Sequence, residues 1–318
     1  MKLISAKRRS LFGALLSLAL ATPLIAHADF NPKLLRIGFQ KSAATLVLLK
    51  GSGELEKRLA PQGVDVKWVE FPAGPQLLEG LNVGSIDFGF VGEAPPIVAQ
   101  AAGANFVYVG FEGEAGAAEA VLVPKDSPIK SIAELKGKRV ALNKGSNVHY
   151  FLVKVLEKNG LKYSDVTVNF LTPADARAAF EKGSIDAWVI WDPFTAAAEK
   201  QIGARVLANG KGVVKNYQFF LAEREFATKR ADVLKVVLEE ANKQGQFIAK
   251  NHKAAAAQLS PQQGLPADVL ELSLSRYEHS FYPITEEALT SQQQIADTFL
   301  DVKLIPAPIK VRDALLKR

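Results

Sequence analysis

The chain writes nearly the same sentence twice: residues 84–96 read GSIDFGFVGEAPP, and residues 183–194, ninety-nine positions on, read GSIDAWVIWDPF. A four-letter match in a chain of this length carries little weight by itself, so its neighbours decide. Arg36-Ile37-Gly38-Phe39-Gln40-Lys41-Ser42 aligns with Arg139-Val140-Ala141-Leu142-Asn143-Lys144-Gly145 at an offset of 103. Between the two echoes, Asp65-Val66-Lys67-Trp68-Val69-Glu70-Phe71-Pro72 parallels Asp165-Val166-Thr167-Val168-Asn169-Phe170-Leu171-Thr172 at an offset of 100. Three echoes in one order at similar offsets describe a repeat the size of a domain, longer than the roughly 20–50 residues of a solenoid unit. Two related lobes are expected.

Within each lobe, strand and helix alternate. Leu34 to Phe39, Val64 to Phe71, Ile86 to Val91 and Phe106 to Val109 read as strands, with helical stretches at 43–59, 75–83 and 94–102 between them. The second lobe repeats the order with strands at 139–143, 166–171 and 187–190 and helices at 146–159, 173–182 and 193–201. This βαβα pattern is that of a parallel sheet covered by helices. Glu119 to Val123 reads as a crossover into the second lobe and Phe219 to Ala222 as the crossover back. The remainder carries helical periodicity over 232–250, 266–275 and 286–300 and is expected to pack on the first lobe. The expected fold is α/β with two lobes, each a sheet flanked by helices. Residues 29–122 with 222–318 form lobe 1 and 123–221 form lobe 2.

Lys2, Lys7, Arg8 and Arg9, then the apolar run Leu11 to Leu20, then Ala26-His27-Ala28 have the form of a secretory signal peptide cleaved before Asp29. Arg8-Arg9-Ser10-Leu11-Phe12 loosely resembles a twin-arginine signal; the ordinary secretory route is the reading taken. No later stretch reaches the roughly 18 apolar residues of a membrane span, so a soluble, exported, periplasmic protein is expected. Removing residues 1–28 takes four of the 39 basic residues and none of the 33 acidic ones, leaving 35 − 33 = +2. The high pI therefore belongs largely to the leader. Nucleic-acid binding, which needs a basic face, is not supported. There is no Cys, hence no disulfide framework and no lipid-anchored Cys, and the only Met is the initiator. A mature chain free of sulfur points to synthesis under sulfur scarcity; avoidance of oxidation and compositional drift are the other readings.

In open parallel sheets, ligands bind in the crevice beyond the carboxyl ends of the strands. Two such lobes facing each other line one cleft with the loops 40–45, 71–75 and 92–96 from one side and 143–149, 172–175 and 191–194 from the other. The repeated stretches read as those loops. Ser42-Ala43-Ala44-Thr45 and Gly145-Ser146-Asn147 sit where strand turns into helix, and the free N–H groups and dipole of a helix N-terminus hold an anion without a dedicated cation. Simple N-capping by Ser or Asn is the alternative at each. Trp191 and Phe194 are candidates for an apolar wall, and Trp188 for the core. Asp192 before Pro193 is either a cap or a ligand contact. Glu93 and Glu119 either limit which anions enter or meet an amino group on the ligand, whereas Glu112 reads as a solvated surface residue. His149 is either a ligand donor or structural. Lys41 and Lys144 read as pointing to water.

At these residues the chain resembles the aliphatic-sulfonate-binding proteins of ABC importers. The resemblance spans the mature chain and is close over Val69-Glu70-Phe71-Pro72-Ala73-Gly74-Pro75-Gln76, Leu81 to Asp87, Leu171 to Phe180 and Ile190-Trp191-Asp192-Pro193-Phe194. It implies a two-lobed, type II periplasmic-binding-protein fold with the ligand in the interlobe cleft, a closing binding protein that passes alkanesulfonates to a membrane permease and its ATPase; a monomer without cofactor or metal is expected. Cousins of that family bind taurine, nitrate or thiamine precursors. By the resemblance, Gln40 with Ser42, Ala43, Ala44 and Thr45, then Gly92-Glu93, and Ser146 with Asn147 face the ligand. The chain departs from the family's Gly-rich turn at Ser42-Ala43-Ala44-Thr45, from Gly-Asp-x-Pro-Pro at Gly92-Glu93-Ala94-Pro95-Pro96, and around His149 at Val148 and Tyr150. These departures bear on tail size and head group. Enzymes on related two-lobed scaffolds depend on a Cys that this chain lacks, and His149, His252 and His279 have no metal-ligand spacing. A transcription-regulator effector domain needs a helix-turn-helix and a cytoplasmic address, against which the leader argues.

Overall fold

The computed structural model describes residues 31–316; the expected leader and its cleavage point lie outside the described residues. The first sheet is built from β1 (Leu34–Phe39), β2 (Asp65–Glu70), β3 (Phe88–Gly92) and β4 (Phe106–Glu112). Its connecting helices are α1 (Ala44–Ser52), α2 (Glu54–Leu59), α3 (Gly74–Asn82) and α4 (Pro95–Ala101). The chain then crosses to β5 (Glu119–Val123), β6 (Arg139–Leu142), α5 (Asn147–Lys158), β7 (Thr167–Phe170), α6 (Pro173–Glu181), β8 (Ala187–Trp191), α7 (Phe194–Ile202) and β9 (Arg205–Asn209). It returns through β10 (Gln218–Glu223) to α8 (Arg224–Lys229), α9 (Ala231–Lys250), α10 (His252–Gln263), α11 (Ala267–Leu274), β11 (Phe281–Tyr282) and α12 (Glu286–Asp301).

The strand orders are β11-β4-β10-β3-β1-β2 and β7-β6-β8-β5-β9. β1, β2 and β3 run parallel, as do β6, β7 and β8. The expected wholly parallel sheets are not formed: β10 lies antiparallel between β3 and β4, and β5 lies antiparallel between β8 and β9. Each crossover thus ends as a strand of the sheet it enters. The ladder of β5 with β8 begins at Glu119, and that of β10 with β3 at Gln218. Residues 119–122 therefore lie in the second sheet and 218–221 in the first, a few residues away from the expected divisions at 122/123 and 221/222. The connections between the two sheets are residues 113–118 and 210–217.

The echo also has a different placement from the one expected. Gly84 and Gly183, at φ 70° and 68°, turn the chain from helix into strand at the amino ends of β3 and β8. There Arg36 donates from Nε and its backbone N to Asp87 Oδ2 at 3.0 and 2.7 Å and reaches the Gly84 carbonyl. Arg139 does the same to Asp186 Oδ2 at 3.1 and 2.8 Å and to the Gly183 carbonyl. The Gly-Ser-Ile-Asp repeat is a structural pin at the pole opposite the cleft. Only the tails of the quoted stretches, Gly92 onward and Trp191 onward, reach it.

Candidate functional site

The carboxyl ends of β1, β3, β6 and β8 converge on a pocket whose lining includes Gln40, Ser42, Gly92, Ser146, Asn147 and Trp191. Ser42 and Ser146, from the two turns that the sequence echo matches, thus meet in one crevice. Both are buried or nearly so, Ser146 to 3% exposure. Neither side chain caps its helix: α1 starts at Ala44 and α5 at Asn147 without a side-chain cap bond, and Ser146 Oγ donates instead to the Asn143 carbonyl at 2.7 Å. The capping alternative is therefore not realised at either turn. Among the described residues that line the pocket there is no Lys, Arg, His, Asp or Glu.

Asn147 ties the halves together. From the start of α5 its Oδ1 accepts the Ala94 backbone N–H at 3.2 Å, and its Nδ2 donates to Asn216 Oδ1 in the second connection. Asn216 Nδ2 donates to the Ala115 carbonyl of the first connection at 2.8 Å, and Gln218 Nε2 reaches Asn216 Oδ1 at 3.0 Å. Gly92 permits this approach, since a Cβ there would sit 2.0 Å from Asn147 Nδ2.

The pocket is continuous, through Gln40, Ser42 and Trp191, with a wider crevice walled by Phe71 and Pro72 on one side and Pro173, Ala174 and Phe194 on the other. Trp191 and Phe194 pack edge to face at 6.2 Å. Trp188 is core, at 1% exposure, as expected. Lys41 and Lys144 are exposed; Lys144 Nζ lies 5.6 Å from the Phe170 ring centroid.

The remaining candidates stand behind the lining. Ala43 is core, Ala44 faces a smaller recess beneath Ser42, and Thr45 turns away to donate to Glu112 at 2.6 Å. Glu112 is buried, not solvated as expected; Thr45 Oγ1 and His279 Nδ1, 3.6 Å away, draw it inward. His149 is fully buried: Nδ1 accepts the Gly145 N–H at 3.1 Å and Nε2 meets Tyr163 Oη at 2.6 Å. It holds the turn and does not line the pocket. Burial, with Lys144 adding, lowers its pKa to about 4. Asp192 is structural: Oδ1 accepts Ala196 N–H at 2.9 Å and Oδ2 accepts from Arg276 at 3.2 Å. Burial raises its pKa to about 6 against the pull of Arg276.

Glu93 and Glu119 have no exposed surface. Glu93 Oε2 accepts the Tyr217 N–H at 3.0 Å, and its pKa is pushed up to about 8 by burial, partly offset by the backbone N–H groups of Tyr217 and Asn216. Among the described residues neither oxygen of Glu119 has a hydrogen-bond partner, and burial followed by proximity to Glu93 holds that carboxyl well above the usual range. Phe90, Asn216, Gln218 and Tyr277 also line the pocket and were not among the sequence candidates. Asn216 and Gln218 come from the returning crossover and Tyr277 from the C-terminal helical region, neither of which the echo covers. Asn216 at φ 55° sits in a region where Asn is tolerated, a feature with no sequence pattern of its own.

The geometry has counterparts. Residues 59–256 match the NMT1/THI5-like family. An aliphatic sulfonates-binding protein of Escherichia coli (strain K12) is 43% identical over 303 residues, covering 95% of this chain and 94% of that one. The crystal structure of the periplasmic aliphatic sulphonate binding protein SsuA from Escherichia coli covers 90% of this chain and 93% of its own at TM-score 0.82 and 43% identity. The alkanesulfonate-binding protein SsuA from Xanthomonas axonopodis pv. citri, bound to MOPS, superposes at TM-score 0.86 and 42% identity over 91% of this chain and all of that one. The chain belongs to the NMT1/THI5-like family and, within it, to the aliphatic sulfonates-binding proteins.

Proposed function

We propose that this protein is the solute-binding component of an ABC importer that captures aliphatic sulfonates as a source of sulfur. The observation that carries the reading is the cation-free pocket between the two matched turns, Ser42 to Ala44 and Gly145 to Asn147, one from each lobe. Helix N-termini and neutral donors suit a weakly basic oxyanion that keeps one negative charge. Gln40, Ser42, Ser146 and Asn147 hold the sulfonate, and Phe71, Trp191 and Phe194 flank the alkyl tail. MOPS, held by one of the relatives above, is itself a substituted propanesulfonate.

Capture proceeds by rotation of lobe 2 against lobe 1 about residues 113–118 and 210–217, and the closed monomer is delivered to a permease and its ATPase. Residues 1–28 direct export to the periplasm. Among the described residues no helix is long and apolar enough to cross a membrane, and no cluster of metal-ligating side chains occurs. Beyond Met1 the chain holds neither Cys nor Met, which fits a protein made when sulfur is scarce and removes the nucleophile a desulfinating enzyme of this shape would use. Calorimetric titration of residues 29–318 against propanesulfonate, taurine, nitrate and sulfate tests the reading. Binding of propanesulfonate, recovered unchanged by mass spectrometry, is expected. Binding of nitrate with no response to any sulfonate refutes it.

A further inference from the structure

Beside the pocket the lobes touch a second time, through α7 and α11. The helix α11 belongs to lobe 1: Leu270 and Leu274, one turn apart, are buried in the core that holds Leu46 and Leu49 of α1. Its adjoining face carries Val269, which is buried against Ala196 and Ala197 of α7 in lobe 2, with Leu265 and Leu272 at the margin. The small side chains of α7 let the two helices approach closely enough for charged groups beside them to meet. Past the end of α11 the chain continues in a turn, the Arg276 N–H donating to the Ser273 carbonyl at 3.1 Å. From this turn Arg276 Nη1 donates to Asp192 Oδ2 at 3.2 Å and Nη2 to Glu199 Oε2 at 2.6 Å. Tyr277 Oη donates to the Asp192 carbonyl at 3.1 Å, and Lys200 pairs with Asp268 at 3.3 Å along the same two helices.

We propose, on the footing of capture by lobe rotation, that Arg276 is a positioning residue which latches the lobes over a bound anion through Asp192 and Glu199 without touching the ligand. Arg276 lines neither the pocket nor the crevice beside it. Asp192 has no exposed surface in this arrangement, and it directly follows Trp191, whose ring lines both spaces. Rotating lobe 2 away takes both carboxylates from the guanidinium and lets water reach all three groups, so the contact stabilises the closed form and not the open one. Without the guanidinium, Asp192 is dry and unpaired only while the lobes are together. Glu199 and Arg276 keep 26% and 18% of their side-chain surface exposed, so solvent screens the outer pair and most of the effect falls on Asp192. The 191–194 loop does not depend on Arg276 for its shape. The Asp192 N–H donates to the Ala118 carbonyl at 2.7 Å, and Oδ1 accepts the Ala196 N–H at 2.9 Å.

A latch that does not touch the ligand acts on every ligand alike, which separates it from a binding residue. Calorimetry and stopped-flow release of methanesulfonate, propanesulfonate and pentanesulfonate from the mature chain read the difference. Arg276→Ala is expected to raise the dissociation constant by about 10–100-fold, by one common factor for the three ligands, with release faster to match. The melting temperature of the ligand-free protein is expected to move by less than about 2 °C, because the open form does not use the pair. Arg276→Lys keeps the charge without the fork and recovers part of the loss, and Glu199→Gln costs about 3-fold. In an Asp192→Asn background no charge is stranded, so adding Arg276→Ala is expected to cost less than about 3-fold. Wild-type affinity in Arg276→Ala overturns the proposal, as does an undiminished loss in the Asp192→Asn background. So does a loss that differs by more than about 5-fold among the three ligands, which places Arg276 against the tail. If Arg276→Ala does not fold, Arg276→Lys and Glu199→Gln carry the same comparison. Binding of nitrate with no response to any sulfonate strikes the sulfonate reading instead, and the same variants titrated with nitrate then decide the latch, so the two failures are distinct.

Discussion

Gly92→Ala closes no backbone option, yet it should weaken capture by about two orders of magnitude. Gly92 is not among the glycines with positive φ, so alanine fits the backbone. What it does not fit is Asn147. The new Cβ would lie 2.0, 2.3 and 2.4 Å from Asn147 Nδ2, Oδ1 and Cγ, so that side chain must leave. With it go the bond to the Ala94 N–H at 3.2 Å and the bond to Asn216. Each is worth about 1 kcal/mol net, and the buried donor left behind adds to the loss, giving about 2–3 kcal/mol against the bridged form. In an opened cleft Gly92 and Asn147 lie on separate lobes and the substitution is silent. The whole loss therefore falls on binding, about 30–150-fold in the dissociation constant for propanesulfonate, with the melting temperature of the free protein shifted little. Asn147→Ala deletes the same bonds without a clash, so the double variant should bind no more weakly than Asn147→Ala alone, a coupling of about 2 kcal/mol. Additive losses, or wild-type affinity in Gly92→Ala, would falsify the bridging role.

Arg36→Ala strands Asp87, a carboxylate at 4% exposure, and should cost about 3 kcal/mol in urea unfolding while leaving sulfonate affinity intact; Arg139→Ala, whose partner Asp186 is more exposed, should cost visibly less. His149 has a folded pKa near 4, below its unfolded value of about 6.5. Between these values the unfolded chain binds the extra proton, so stability falls as pH drops through that window, by about 3 kcal/mol in total. Urea midpoints between pH 7 and 4 should lose most of that slope in His149→Gln, and an unchanged slope rules His149 out as its source. Phe194→Ala should weaken pentanesulfonate by about 1 kcal/mol more than methanesulfonate, because only the longer tail reaches the Phe71–Phe194 crevice; equal losses for both tails would show that the tail leaves by another route.

The two lobes and their helices were legible because burial writes a period into the chain: the runs ending at Phe39, Glu70, Gly92, Leu142, Phe170 and Trp191 are the parallel strands of the two sheets. The places of β5 and β10 were not. A strand of five or six largely apolar residues, such as Glu119–Val123, reads the same whether it runs parallel or antiparallel and whichever sheet it joins. Its neighbours are chosen by long-range hydrogen bonding, to β8 and β9 for one and β3 and β4 for the other. The helix α10 went unread for a local reason, since its run of alanines has no apolar stripe and Pro261 lies inside it.

At the site, the echo found the turns but not the division of labour along the repeated strands. Selection for a shared fold and selection for a shared ligand leave the same mark on a sequence, two similar words at one spacing. The structure separates them by pole. Arg36 with Asp87 and Arg139 with Asp186 repeat because both sheets must tie a helix-to-strand turn to their first strand, and this explains why the resemblance between the lobes is strongest there. At the opposite pole the lobes have diverged, Ser42-Ala43-Ala44 against Gly145-Ser146-Asn147, since one ligand approached from two sides presents different atoms to each. Asn147 crosses to Ala94, whereas the crossings in the other direction, from Arg276 and Tyr277 to Asp192, come from the C-terminal region that the repeat does not cover. The buried acid Glu93 falls opposite Asp192 in the repeat, yet Asp192 is drawn to Arg276 while Glu93 meets the Tyr217 N–H, and Glu119 lies outside the repeated stretches. A repeat locates a cleft; the asymmetric residues around it decide what the cleft holds.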